Sequence, residues 1–169
     1  MTSILKVSEI QDPTNSNSAL TIDSSGRILT PNKPMILAQG NVESNVVYAH
    51  NAPISNWKTS GSGAFAQGIT IASNTRFTAP VDGKYFFSAS VYFNDGNTSC
   101  RLQIMQNGSY NNPNGQLCQS GDAAARNLQV TTILDLSAND YIEICNASGG
   151  DRTIYNGAQH TYVSMYLLG

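Results

Sequence analysis

Residues Phe77–Phe93 read FTAPVDGKYFFSASVYF and combine a tight turn with a long alternating run. It opens with a short extended piece, passes through a turn that contains Pro80 and the Asp82-Gly83 pair, and continues as a run of alternating residues. Asp-Gly supplies the positive φ that a tight turn needs, and proline fixes the corner before it. The alternation predicts a long β-strand, because successive side chains of a strand point to opposite faces.

The two faces of this predicted strand differ in chemistry. One face is aromatic and aliphatic throughout and is expected to lie in the core: Tyr85, Phe87, Ala89, Val91 and Phe93. The other face mixes aromatic rings with hydroxyls: Phe86, Ser88, Ser90 and Tyr92. Such a mixed face suits contact with another protein chain better than contact with water alone.

The rest of the chain carries similar strand and turn signals. Short strands are predicted at Met35–Ala38, Val46–Ala49, Ile69–Ile71, Thr75–Phe77, Cys100–Gln106 and Asn127–Leu134. Asp-Gly and Asn-Gly pairs punctuate the chain, and no segment sustains an apolar helical period. The pattern predicts an all-β sandwich or barrel. Residues 51–68 show no pattern that assigns them to an element.

Four motifs in a fixed order resemble the globular head of the first complement component and its tumour-necrosis-factor-like relatives. They are the stretch FTAPVDGKYFF, the Asn107-Gly108 turn after a strand, the pair of strands in Leu134–Ile144, and the final strand Tyr162–Leu168. The resemblance covers about Pro34 to Gly169 and implies a ten-stranded jelly-roll β-sandwich that assembles as a trimer. Asn139 and Ser164 stand where the family has glycine, and no acidic loop matches the calcium site of some relatives.

The resemblance also implies which surface forms the trimer. One sheet of each subunit would face the threefold axis, and the final strand would belong to that sheet. Both faces of the final strand carry large apolar side chains, so one face should be core and the other interface. Tyrosine suits a subunit boundary because its ring is buried while its hydroxyl still finds a partner. The predicted trimer interface consists of Phe86, Tyr92, Tyr162 and Tyr166.

Residues 1–33 are interpreted as an N-terminal docking arm, and residues 34–169 as the head domain. A hairpin is predicted from Ala19–Asp23 and Arg27–Thr30 around Ser24-Ser25-Gly26. A lone hairpin is marginal in water, so the arm should need a partner surface. The apolar residues expected to dock are Leu20, Ile22, Ile28 and Leu29. The arm also resembles the N-terminal segment of structural proteins of marine phages. The alternative interpretation of residues 1–33 is a disordered leader.

Composition excludes several function classes. Charged residues make up 12% of the 169 residues and the net charge is −2, so no basic field exists to hold nucleic acid or an anionic membrane. No apolar run is long enough to span a bilayer. Residues 1–7 lack the pattern of a signal peptide, so we expect synthesis and assembly in a host cytoplasm.

No motif points to catalysis, a metal or a cofactor. His50 and His160 are far apart and neither lies at metal-ligand spacing from a cysteine or carboxylate. Gly61-Ser62-Gly63 lacks the strand-to-helix elbow of a nucleophile. The rings of Trp57, Tyr110 and Tyr155 either stack on sugars or pack beneath loops. The three cysteines, Cys100, Cys118 and Cys145, are interpreted as thiols, with a Cys100–Cys118 bridge as the alternative.

These observations predict a non-enzymatic phage virion protein without a cofactor. The chain would be a homotrimeric head decoration or cement protein that binds other virion proteins of the capsid or tail through its arm. The absence of a coiled-coil or collagen-like stalk favours this position. The alternative is the receptor-binding tip of a tail fibre, which would bind a host cell-surface glycan or protein. A secreted complement-like lectin is the least favoured interpretation, because residues 1–7 lack the pattern of a signal peptide.

Overall fold

The computed structural model describes residues 7–14, 17–61, 63–95, 99–110, 117–119 and 126–169. The chain divides into two compact units, Met1–Lys33 (the N-terminal unit) and Pro34–Gly169 (the head). The described residues form strands and no helix: β1 Glu9–Gln11, β2 Ser18–Ile22, β3 Ile28–Leu29, β4 Met35–Gly40, β5 Asn45–Tyr48, β6 Trp57–Lys58, β7 Phe65–Gln67, β8 Thr70–Ala72, β9 Arg76–Thr78, β10 Gly83–Phe93, β11 Arg101–Gln106, β12 Leu117–Gln119, β13 Arg126–Leu136, β14 Tyr141–Asn146, β15 Arg152–Tyr155 and β16 Tyr162–Leu167.

The N-terminal unit is an antiparallel sheet in the order β1-β2-β3. The predicted hairpin is present, with Gly26 at φ 77° in its turn. The Asp23 carboxylate accepts hydrogen bonds from the Arg27 amide and guanidinium, which lower its pKa. Strand β1 extends the hairpin to three strands, an addition that the sequence pattern did not predict.

The head is a sandwich of two antiparallel sheets. The first sheet has the order β5-β15-β10-β16-β4-β6, with β13 also paired to β10 and β7 to β4. The second sheet has the order β12-β11-β14-β9-β8. Strand β10 is the centre of the first sheet, because β13 pairs along its whole length on one side while β16 and β15 pair on the other.

The core lies between the two sheets, and β10 contributes the face that its alternation predicts. Every residue predicted for the core face of β10, from Tyr85 to Phe93, is fully buried. The ring of Phe77 from the second sheet meets the edges of Trp57 and Phe87, with centroids 5.7 and 6.4 Å away. These edge-to-face contacts join the two sheets at the centre of the sandwich.

Strands β9 and β10 flank the predicted turn at Asp82-Gly83 and lie in different sheets, so the turn is a corner between sheets. Two sequence expectations need correction. Strands β13 and β14 likewise lie in different sheets and are not paired with each other, although the motif resembled a pair. The described part of the head has thirteen strands instead of ten, because pieces as short as β6 form separate elements.

The corner between β13 and β14 is held by polar contacts rather than by pairing. Asn139 adopts φ 72°, which asparagine tolerates in place of glycine. The Asp140 carboxylate accepts hydrogen bonds from the Asn107 side chain at 2.7 Å and from the Ser137 amide at 2.9 Å. These donors lower the pKa of Asp140, because they stabilise its charged form.

Candidate subunit interface

The face of the first sheet that points away from the core carries rows of side chains across its strands. Residues directly opposite in an antiparallel pair project on the same side of the sheet. The pairing of β13, β10, β16 and β4 therefore aligns three rows: Ile133, Phe86, Tyr166 and Met35; Thr131, Ser88, Ser164 and Leu37; and Gln129, Ser90, Tyr162 and Gln39. We call this surface the outer face.

The first row is apolar. The rings of Phe86 and Tyr166 stack with centroids 5.0 Å apart and an interplanar angle of 27°. Tyr166 is 39% exposed and Ile133 is 58% exposed, so the row presents its apolar groups to the surface. Phe65 of β7 pairs with Leu37 and extends the apolar surface toward the sheet edge. Contiguous exposed apolar groups of this kind mark interaction sites in soluble proteins.

The middle of the outer face is polar but uncharged. The hydroxyls of Ser88 and Thr131 lie 3.0 Å apart across the strands. Ser90 is buried and donates to the Asn127 side chain at 2.7 Å. Hydroxyl and amide groups both donate and accept hydrogen bonds, so this part of the outer face can bond to a polar partner surface.

Tyr92 lies at the other end of the outer face, where it already has an intramolecular partner. The His160 ring lies 5.1 Å from the Tyr92 ring and 5.2 Å from the Tyr155 ring. The Tyr155 hydroxyl in turn contacts the Glu43 carboxylate at 3.3 Å. His160 therefore has a packing role in this cluster.

The structure places the four residues predicted for the trimer interface on one surface. Phe86 and Tyr166 are in contact, Tyr162 lies two rows away, and Tyr92 lies beside the His160 cluster. The sequence analysis did not assign four further residues to this surface, namely Ile133, Met35, Leu37 and Phe65. The alternation of β13 carried a signal for Ile133, because Leu128, Val130 and Leu134 on the other face are buried.

The buried ionisable groups of the second sheet have structural partners. Glu143 accepts hydrogen bonds from the Thr75 hydroxyl at 2.6 Å and the Arg76 guanidinium at 3.4 Å. Burial raises the pKa of the Cys145 thiol to about 12 and that of the neighbouring Tyr110 hydroxyl to about 12. A thiol with so high a pKa stays protonated and is a poor nucleophile.

Two of the rings considered for sugar stacking, and the His50 ring considered as a metal ligand, are held by internal contacts. Trp57 is buried and its indole N–H donates to the Ile54 carbonyl at 2.9 Å. The Tyr110 hydroxyl donates to the Asn51 carbonyl at 2.6 Å. His50 accepts a hydrogen bond from the Gly149 amide at 3.0 Å through its Nδ1 atom. These contacts favour packing roles for the three groups.

Cys100 and Cys145 are both buried in the head, and the side chain of Cys118 lies outside the described residues. Within the described ranges, no three His, Cys, Asp or Glu side chains come close enough together to hold a metal ion. The same ranges contain no helix of the length and hydropathy that crossing a bilayer requires.

The N-terminal unit divides the four residues of the predicted docking set between its two faces. Leu20, Ile22 and Ile28 share one face, because Ile22 pairs with Ile28 and Leu20 lies two residues before Ile22. Leu29 pairs with Thr21 and lies on the opposite face. Ile28 is 67% exposed and Leu29 is 46% exposed, whereas Leu20 and Ile22 are half-buried.

The head is similar in structure to three groups of solved domains. It resembles Eiger TNF from S. frugiperda at a TM-score of 0.68 and 15% identity, with 81% of this chain and 93% of that chain covered. The globular domain of zebrafish complement 1qA protein matches at 0.60 and 16%, covering 81% and 98%. Murine APRIL at pH 5.0 matches at 0.62 and 12%, covering 80% and 99%.

These likenesses confirm the all-β jelly roll that the sequence motifs predict, at identities that show the fold alone. No protein-family model matches the chain. No curated protein is significantly similar to it in sequence.

Proposed function

We propose that this chain is a non-enzymatic structural protein of a phage particle. It acts as a homotrimeric head decoration or cement protein whose N-terminal unit attaches it to other virion proteins. The observation that carries the proposal is the apolar row of the outer face, where Phe86, Tyr166 and Ile133 are presented together. An isolated subunit would leave this surface in water.

A second and third copy of the same chain are the partners that best satisfy the outer face. The three rows carry no charged side chain, and the Lys84–Asp135 pair beside the apolar row on the same face is joined by a salt bridge at 2.9 Å, so identical copies meet without net repulsion. A closed threefold ring repeats one heterologous contact between neighbouring subunits and leaves no open end. A stable interface requires roughly 800 Å² from each partner. The trimer also agrees with the assembly that the sequence resemblance implies.

The attachment role rests on the N-terminal unit. Its sheet has short strands of 3, 5 and 2 residues. Exposed aliphatic side chains on both of its faces are available to partner proteins. The low overall charge fits a particle component held by contact surfaces and not a nucleic-acid-binding protein.

Quantitative mass spectrometry of purified phage particles tests this proposal. A decoration protein should be present at a copy number comparable to that of the major shell protein. A copy number of only a few per particle would contradict the decoration role and would indicate the tip of a tail fibre instead. Absence of the chain from purified particles would refute a virion role altogether.

A further inference from the structure

One face of the three-stranded sheet in the N-terminal unit is apolar, and two of its side chains are exposed. The strand pairing places Ile10 opposite Leu20 and Ile22 opposite Ile28, so four aliphatic side chains share this face. We call it the aliphatic face. Ile10 is 51% exposed and Ile28 is 67% exposed, although large aliphatic side chains are normally buried in a sheet.

We propose that the aliphatic faces of three N-terminal units pack against one another within the trimer and form a second intersubunit core. This inference rests on the proposed function, because it requires the head to be trimeric. The occupants of the aliphatic face are thus two further copies of the same unit.

The connection between the units supports identical copies as the partner. Lys33 ends the N-terminal unit, and Met35, two residues later, already belongs to the apolar row of the outer face. The N-terminal unit is thus continuous in the chain with the head's own candidate interface. When three heads associate, the short connections hold the three N-terminal units close to one another. The effective concentration of these units relative to one another is then about millimolar.

Charge distribution supports the same partner. The positions that form the aliphatic face carry no ionised side chain, so copies would meet without like-charge repulsion. Glu9 pairs with Thr21 and lies on the opposite face, together with Leu29. The opposite face, which carries Glu9 and Leu29, would then remain available to contact the particle.

Hydrogen exchange of the full-length protein in the absence of phage particles tests this proposal. Amides of residues 18–29 should exchange at least about tenfold more slowly in the wild-type trimer than in Ile28→Asp, because packing of the aliphatic faces suppresses opening of the sheet. Leu29→Asp is the matched control, since it introduces the same charge one residue later on the opposite face. Leu29→Asp should retain the wild-type protection.

Comparison with a monomeric head separates the two proposals. Tyr166→Lys places a charge in the outer face, and in the resulting monomers the protection of residues 18–29 should be lost. Equal protection in monomers, fast exchange in the wild-type trimer, or equal loss in Leu29→Asp and Ile28→Asp would each overturn the inference while leaving the trimeric head intact. A wild-type protein that is itself monomeric by light scattering would instead overturn the proposed function.

Discussion

Phe86 and Phe87 are adjacent in β10 but lie on opposite faces, so this pair separates folding of the subunit from its association. Phe87 is fully buried and touches Phe77, and truncating such a ring to alanine costs about 3–5 kcal/mol. In a chain of this size each kcal/mol lowers the Tm by about 2–4 °C, so Phe87→Ala should lower the Tm by roughly 6–20 °C.

Phe86→Ala should act mainly on association. The ring is half-buried and stacked on Tyr166, and loss of such a stack costs the subunit about 1 kcal/mol. Full burial of a phenylalanine side chain contributes about 1.5–3 kcal/mol, of which roughly half remains to be gained on association. Three copies then contribute about 3 kcal/mol to the trimer, which corresponds to about a hundredfold change in the association constant.

Dilution series of both variants, followed by analytical ultracentrifugation, measure association, and melts followed by circular dichroism measure folding. Phe86→Ala should dissociate at higher concentrations than wild type while still folding, and Phe87→Ala should melt earlier. Assignment of Phe86 to the interface would be refuted if Phe86→Ala associates as tightly as wild type. It would also be refuted if Phe86→Ala and Phe87→Ala lower the Tm by the same amount.

Three further predictions concern the head. Gly40→Ala should destabilise the head by about 1–3 kcal/mol in a urea titration, because the new Cβ would clash with the side-chain and carbonyl oxygens of Asn156, whereas Gly150→Ala should be nearly neutral. Peptide mass spectrometry after iodoacetamide treatment at pH 8 should find Cys145 unlabelled until the protein is denatured, because burial raises its pKa to about 12. In acid titrations, Asp140→Asn should lose less stability than the wild-type protein. The pKa of Asp140 is lowered in the folded state, so the ionised carboxylate stabilises the fold at pH values above the ordinary pKa of 3.8, and this stability is lost as the pH falls through the folded-state pKa. Unchanged acid sensitivity of the variant would contradict this role.

The local pattern of the sequence predicts which face of a strand is buried, but not which sheet the strand joins. Alternation from Tyr85 to Phe93 identifies the core face of β10 because the period of a strand is set by its own backbone. The turn residues at Asp82-Gly83 bend the chain locally. They carry no information on whether β9 pairs with β10 or crosses to the other sheet, since that choice depends on contacts distant in sequence.

The candidate interface shows the same limit. Phe86 and Tyr166 could be assigned to one surface from their strand periods, but their stacking depends on the register between β10 and β16. Tyr92 could not be linked to His160, because that contact joins residues far apart along the chain. Trp57 lies in a segment without periodicity, so its burial against Phe77 had no sequence signal.

Sedimentation equilibrium of the 169-residue protein tests the claim that the outer face joins three copies of the chain. We predict a species of about 54 kDa, three times the chain mass of 18.1 kDa, and monomers for Tyr166→Lys. A wild-type protein that sediments at the chain mass across the micromolar range would contradict the claim, as would a Tyr166→Lys variant that remains trimeric.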